Sequence, residues 1–148
     1  MTTATVDQKA SKSAGKLITS GLIAGLAGGL IFGMMMAMMG MLPMVSMLIG
    51  VENAIDGFII HMAISAFIGA VYGLVIGRFP VNATTALIGG IVNGVIWWVL
   101  GALILMPLFL GMSQMVFLIG PDQWLSLMGH AIYGLVTAFV FIPLVKRS

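Results

Sequence analysis

The chain has 148 residues, of which 61% are hydrophobic and 7% are charged, with a formal net charge of +2. A soluble domain carries roughly a quarter charged residues, so this composition excludes a water-covered surface and predicts an integral membrane protein. No basic stripe marks a nucleic-acid-binding surface, and the lack of cysteine excludes disulfides, thiolate metal sites and cysteine nucleophiles.

The N-terminal part divides into a polar tail and a long apolar helix. Residues 1–16 predict a cytoplasmic tail, and residues 17–148 predict a single four-helix membrane domain. The first apolar run, residues 17–41, is too long for the core of a signal peptide and predicts a retained membrane helix. Glycine recurs every four residues on one face of it, which lets a neighbouring helix approach closely: Gly21, Gly25, Gly29 and Gly33.

A break and a second helix follow. Pro43 ends the first helix, and residues 42–55 are apolar but too short to cross a bilayer, so they predict a segment at the interface or in the mouth of the bundle. Residues 58–77 form the second spanning helix. One of its faces carries His61, Ser65, Gly69 and Tyr72 at helical spacing.

The second half of the chain has the same order of segments. Residues 86–106 predict a third spanning helix with Gly90 and Gly94 on one face, again interpreted as a packing face. Pro107 ends that helix, and residues 108–120 predict another interfacial or re-entrant segment. Residues 122–145 predict a fourth helix, with His130 and Tyr133 on one face.

Charge placement predicts the topology. Basic residues stand before the first helix, between the second and third, and after the fourth, whereas the acidic residues of the other two connections are Glu52, Asp56 and Asp122. The positive-inside rule then places both termini in the cytoplasm, and we expect a multi-pass protein of the bacterial inner membrane.

The order of segments also predicts a tandem duplication of a helix–break–helix unit. Repeat one covers about residues 17–78 and repeat two about residues 86–146. The segment LIAG at 22–25 matches LIGG at 87–90, Gly29 matches Gly94, and His61 matches His130. Both copies cross the membrane twice, so their symmetry axis is expected along the membrane normal.

Four segments carry a resemblance to other proteins. They are MMAMMGMLPMVSML, HMAISAFIGAVYGL, WWVLGALILMPLFLGM and LMGHAIYGL. In hydropathy and small residues they resemble a group of small four-helix bacterial membrane proteins. The resemblance implies an all-α membrane fold and lends no activity.

The two histidines are the candidate ligands for a cofactor. Ionisable residues inside a membrane are costly and are therefore functional candidates. Imidazoles on facing helices can ligate haem b, or one can ligate a chlorin magnesium, with Tyr72 and Tyr133 lining the macrocycle. In the alternative interpretation no cofactor is bound. Each imidazole then forms a hydrogen bond with a hydroxyl or carbonyl group, with Ser65 and Tyr133 as the nearest candidates.

Methionine supplies a second candidate site. Met38, Met41, Met44 and Met47 recur every three residues across the first break, and thioethers are soft ligands that suit Cu(I). Methionine also fills irregular packing, so the same pattern is compatible with a purely structural role.

No other chemistry is indicated. The sequence has no intramembrane carboxylate pair, nucleophile–base spacing or phosphate loop. We therefore expect a non-catalytic accessory or structural subunit in the lipid bilayer. It would pack against other membrane subunits, of an electron-transfer or photosynthetic assembly for example, or against copies of itself. The alternatives are a bis-histidine haem b or chlorin protein and a methionine-rich Cu(I)-handling protein.

Overall fold

The structure is a computed structural model that describes residues 3–146, with side chains from residue 14 onward. Within that range all of the regular secondary structure is helical. Its α-helices are α1 (Thr3–Met38), α2 (Leu42–Ser46), α3 (Ala54–Ile76), α4 (Ala83–Trp97), α5 (Met106–Phe109) and α6 (Pro121–Lys146). A π-helix, Trp98–Leu105, joins α4 to α5, and 3₁₀ turns form Met47–Ile49 and Ser113–Met115.

Four helical segments are long and apolar enough to cross a membrane, which confirms the predicted number. They are Ala14–Met38, Ala54–Ile76, Ala83–Phe109 and Pro121–Lys146. Helix α1 begins at Thr3 and so includes most of the predicted polar tail. Residues 1–2, at the start of that tail, and Arg147, one of the predicted cytoplasmic charges, lie outside the described residues.

Small residues set the packing between α1 and α3. A Cβ atom added to Gly25 would lie 2.5 Å from the carbonyl oxygen of Ser65 and 2.6 Å from Cα of Gly69. Added to Gly21, it would lie 2.9 Å from Cα of Gly73. Because backbone lies directly against backbone, these glycines form the close helix contact that their four-residue spacing predicts.

Helices α4 and α6 pack through a similar set of small residues. A Cβ atom added to Gly90 would lie 2.9 Å from the carbonyl carbon of Gly134, and one added to Gly94 would lie 2.9 Å from that of His130. Helix α1 also lies against α6, where Gly28 faces Tyr133 and Thr137. In contrast, α3 and α4 contact each other only sparsely, which leaves a cleft between them.

The two ends of the bundle differ in character. At one end, here called the basic end, the ammonium group of Lys16 donates a hydrogen bond to the carbonyl oxygen of Val145 at 3.0 Å, and Gly77 packs on Leu17. The opposite end, here called the break end, contains the two irregular segments, residues 39–53 and 110–120. The cleft between α3 and α4 is closed toward the basic end by Tyr72, whose hydroxyl donates to the carbonyl oxygen of Ala86 at 2.7 Å.

The first break folds back into the bundle. Helix α2 lies against α3, with its Leu42 backbone against Gly57, and Leu42, Val45 and Ser46 are buried. The hydroxyl of Ser46 accepts a hydrogen bond from the N–H of Asn53, the residue that caps α3. Of the two predicted placements, the structure therefore shows the segment in the mouth of the bundle.

The third spanning segment differs from the predicted single helix over residues 86–106. It begins at Ala83, becomes a π-helix at Trp98 and continues beyond Pro107 to Phe109. Proline has no N–H, so Pro107 cannot donate to the carbonyl oxygen of Leu103 as the fourth residue on would in an α-helix. The N–H of Phe117 donates to that oxygen at 3.2 Å, and Phe117 adopts a positive φ of 58°.

Candidate functional site

A cavity of about 490 Å³ lies in the cleft between α3 and the π-helix, toward the break end. One wall is formed by α3 and the other by the π-helix and α5. Four methionines of the two breaks line it (Met41, Met44, Met112 and Met115), and the polar groups of the wall include His61, Ser65, His130 and Tyr133. The two predicted histidines and part of the predicted methionine cluster therefore border one space.

His61 joins α3 to α1. Its imidazole is 7% exposed, and Nε2 lies 2.9 Å from the carbonyl oxygen of Gly29. A carbonyl oxygen only accepts, so Nε2 is the nitrogen that donates. The hydroxyl of Ser65, one turn later, lies 3.5 Å from the same nitrogen. The structure thus places Ser65 beside His61, as the cofactor-free interpretation expects, and shows that Gly29 provides the principal partner.

His130 makes its hydrogen bonds within its own helix. Nδ1 lies 2.8 Å from the carbonyl oxygen of Ser126 and 3.4 Å from the Ser126 hydroxyl. Because a carbonyl oxygen can only accept, Nδ1 must carry the proton and donate. In the neutral ring Nε2 then keeps its lone pair. Among the described residues His130 therefore makes no hydrogen bond between helices, and its Nε2 is not used in the bonds to Ser126.

Phe32 of α1 packs against both imidazoles. Its ring centroid lies 5.3 Å from that of His61 and 4.9 Å from that of His130, edge-on in each case. Gly129 of α6 provides the space for this ring, because an added Cβ atom there would lie 2.5 Å from Cδ2 of Phe32. The phenyl ring thus fills the space shared by the two imidazoles, and a macrocycle clamped by both of them does not fit beside Phe32 in this position.

The two tyrosines occupy different parts of the bundle. Tyr133 lines the cavity, and its hydroxyl donates to the carbonyl oxygen of Ser65 at 2.7 Å, which joins α6 to α3. Tyr72 lies toward the basic end, against Phe141 at 5.4 Å between ring centroids, and is not part of the cavity wall. Of the two predicted lining residues, the structure places Tyr133 at the cavity.

The predicted methionine quartet is only partly assembled. Met41 and Met44 line the cavity, whereas Met38 is 81% exposed and, like Met47, does not border it. The remaining methionines of the wall come from both halves of the chain: Met36, Met106, Met112 and Met115. Among the side chains described, those of residues 14–146, there is no group of three or more histidine and acidic side chains that could hold a metal ion.

The sequence did not single out three features of this site. The role of Phe32 was not predicted, and the available signal was its place between Gly29 and Gly33 of the glycine-bearing helix. Gly101 and Ala102 belong to the π-helix, and the proline six residues after Gly101 was the signal for an irregular helix there. Gln123 caps the start of α6 by accepting from the N–H of Gly120 at 2.9 Å.

Comparison of the chain with protein-family models, with curated proteins and with solved structures finds no match.

Proposed function

We propose that this chain is a small, non-catalytic, multi-pass protein of the bacterial inner membrane that serves as an accessory or structural subunit. The observation that carries the proposal is the use made of the buried polar side chains. His61, Tyr72 and Tyr133 each donate to a backbone carbonyl oxygen of another helix. These bonds join α1 to α3, α3 to α4 and α6 to α3, so the polar groups act as ties between helices.

Helix α4 has the most surface available to a partner. It belongs to the segment Ala83–Phe109, whose most apolar stretch is 22% buried within the chain, against 33–39% in the other three spanning segments. Its outward residues are β-branched and apolar: Ile88, Ile91, Val92, Val95 and Ile96. A membrane helix of a larger assembly, or of a second copy of this chain, would pack on this face through van der Waals contact.

The proposal is tested by the size of the particle that contains the chain. Native membranes carrying a tagged chain are solubilised in mild detergent and separated by native electrophoresis. We expect one species much larger than the 15.6 kDa chain. Val92→Trp should release the chain from it, and Val75→Trp, at a similarly exposed site on α3, should not. Migration as a monomer in every sample would overturn the proposal.

Two tandem repeats with both termini in the cytoplasm complete the proposed architecture. Contacts between matching residues support the repeat: Gly25 lies on Ser65 and Gly69, and Gly90 lies on Gly134 and Ala138. In the proposed repeat, each residue of the second contact is the counterpart of a residue in the first contact. Tyr72 and Phe141, which also match, pack on each other across the bundle, as residues beside a two-fold axis would.

The distribution of charge supports the proposed orientation. Lys16 and Lys146 lie at the basic end, and Arg78 follows α3 at the same end. Asp122 borders the cavity at the break end. Positive charge is therefore concentrated at one end of the bundle, which the positive-inside rule assigns to the cytoplasm.

Cu(I) handling is the second candidate, favoured by the six methionines that border one cavity together with two imidazoles. Thioether and imidazole groups are suitable ligands for Cu(I). The test is retention of Cu(I) by purified protein against a water-soluble Cu(I) chelator. Met44→Leu and Met115→Leu should weaken retention if the cavity holds the ion, and Met38→Leu, outside the cavity, is the control.

A further inference from the structure

We propose that the cavity between α3 and the π-helix binds a lipid-soluble molecule that carries a hydroxyl group, and that Nε2 of His130 accepts the hydrogen bond from that hydroxyl. The ligand class follows from the size of the cavity, its opening, the shape of its wall and the hydrogen-bonding state of its polar groups. This site does not depend on whether a partner subunit packs on α4.

The dimensions and walls suit a small apolar molecule. Pockets for small ligands are typically about 300–1,000 Å³ and mainly apolar, with a few polar groups that fix orientation. This cavity measures about 490 Å³, and most of its wall is aliphatic, aromatic or thioether in character. Its polar side chains are few: His61, Ser65, Asp122, Gln123, Ser126, His130 and Tyr133.

The cavity is accessible from the side of the bundle. Ile64 and Phe67 of α3 and Leu105 and Phe109 opposite them all border the cavity and are all exposed. They stand on the two edges of the cleft where α3 and α4 contact each other only sparsely. A molecule dissolved in the bilayer can therefore enter between these edges without first crossing into water.

The π-helix shapes the wall opposite α3. π-helical turns are rare and occur frequently at functional sites, because the wider turn displaces the side chains that follow it. Here the π-helix is eight residues long and places Gly101 and Ala102 at the cavity. A Cβ atom added to Gly101 would meet no atom within 4 Å, so this wall contains unfilled space.

The imidazole of His130 selects the ligand's head group. An imidazole in apolar surroundings is neutral, since a charge there is costly to desolvate, and a neutral imidazole has one N–H. His130 uses that N–H on the carbonyl oxygen of Ser126. Nε2 is therefore an acceptor, and Tyr133 has likewise committed its hydroxyl hydrogen to Ser65. A hydroxyl group can donate to Nε2, whereas an ether or ketone finds no donor in these two side chains.

The test compares two probes that differ by one donor: 4-decylphenol and its methyl ether. Full-length protein in detergent is titrated with each probe, and the melting temperature is recorded, because a ligand that binds the folded state raises it. A Cu(I) chelator is present throughout, so that bound copper cannot account for any rise in the melting temperature. One hydrogen bond contributes about 1 kcal/mol net, so we expect the phenol to bind about five-fold more tightly than the ether.

Two variants separate the cavity from its acceptor. Ala102→Phe fills the cavity and should abolish stabilisation by both probes, whereas Leu100→Phe, in the same π-helix but outside the wall, should preserve it. His130→Ala removes the acceptor without removing a bond between helices, and it should make the two probes equal.

Three results would overturn the proposal. They are equal stabilisation of the parent protein by phenol and ether, binding that survives Ala102→Phe unchanged, and a preference for the phenol that persists in His130→Ala. Should His130→Ala fail to fold, the comparison of Ala102→Phe with Leu100→Phe still decides whether the cavity is the site.

Discussion

The contact between α1 and α3 gives the sharpest test of the fold, through Gly25→Ala. The added Cβ atom would lie 2.5 Å from the carbonyl oxygen of Ser65 and 2.6 Å from Cα of Gly69. Ordinary contact begins at 3.4 Å. Both neighbours are backbone atoms and cannot rotate away. For the added atom to reach ordinary contact distance, α1 and α3 would have to separate by roughly 1 Å.

The magnitude follows from two opposing effects. Overpacking that displaces backbone costs about 1–3 kcal/mol. Replacing glycine by alanine in a helix contributes about 1 kcal/mol in the opposite direction, because alanine has the higher helix propensity. Gly15→Ala in the same helix isolates the second effect, since a Cβ atom on Gly15 meets nothing within 4 Å. We therefore expect Gly25→Ala to be less stable than Gly15→Ala by about 1–3 kcal/mol.

The assay is reversible unfolding of purified protein in mixed micelles, with helicity followed by circular dichroism as denaturing detergent increases. Gly25→Leu should shift the midpoint further in the same direction as Gly25→Ala. Equal midpoints for Gly25→Ala and Gly15→Ala would refute the reasoning, because α1 would then have room at Gly25 and its glycine face would not be a packing face.

The remaining predictions use the same protein preparation or simple fusions. His61→Ala should lower the free energy of unfolding by about 0.5–1.5 kcal/mol, because it removes the hydrogen bond that joins α3 to the Gly29 carbonyl oxygen of α1, whereas His130→Ala should change it much less; equal losses would contradict the assigned hydrogen bonds. Thr137→Val should raise the midpoint, since the Thr137 hydroxyl is fully buried and without a partner among the described residues, and a lower midpoint would reveal a bond that the structure lacks. Reporter fusions after Arg78 should read cytoplasmic and fusions near Glu52 should read external, and the reverse result would overturn the proposed orientation.

The main features of the bundle were predictable because they depend on composition and local spacing. Long apolar runs fix the number of spanning segments, and glycine at every fourth position marks the face of α1 that meets α3. Asn53 and Asn82 cap α3 and α4 as their side-chain chemistry favours. Each of these signals lies within a few neighbouring residues.

The cavity was not predictable in the same way, because it depends on distances between helices. Spacing placed His61 and His130 on helix faces, but only the packing shows that Phe32 lies against both rings. The carbonyl oxygen of Leu103, in the π-helix before Pro107, accepts a hydrogen bond from Phe117, ten residues after that proline. Local sequence contains no signal for such a pairing.

The position of the cavity follows from where the proposed repeats differ. If the repeats match as proposed, the contact of α1 with α6 corresponds to that of α4 with α3. Gly28 and Gly129 leave room in the first contact, where Gly28 faces Tyr133 and Gly129 receives Phe32. Their matches, Asn93 and Ile60, are larger.

Two helices approach closely only where small residues face each other, so larger residues at these two positions of the proposed repeat would keep α4 and α3 apart. The first contact is therefore tight and the second is open. Trp97, the match of Phe32, packs on Phe67 at 6.0 Å between ring centroids instead of entering the bundle, and so borders the cleft as part of the cavity wall. If the repeats match as proposed, the cavity lies in the one of two equivalent contacts that has the larger residues.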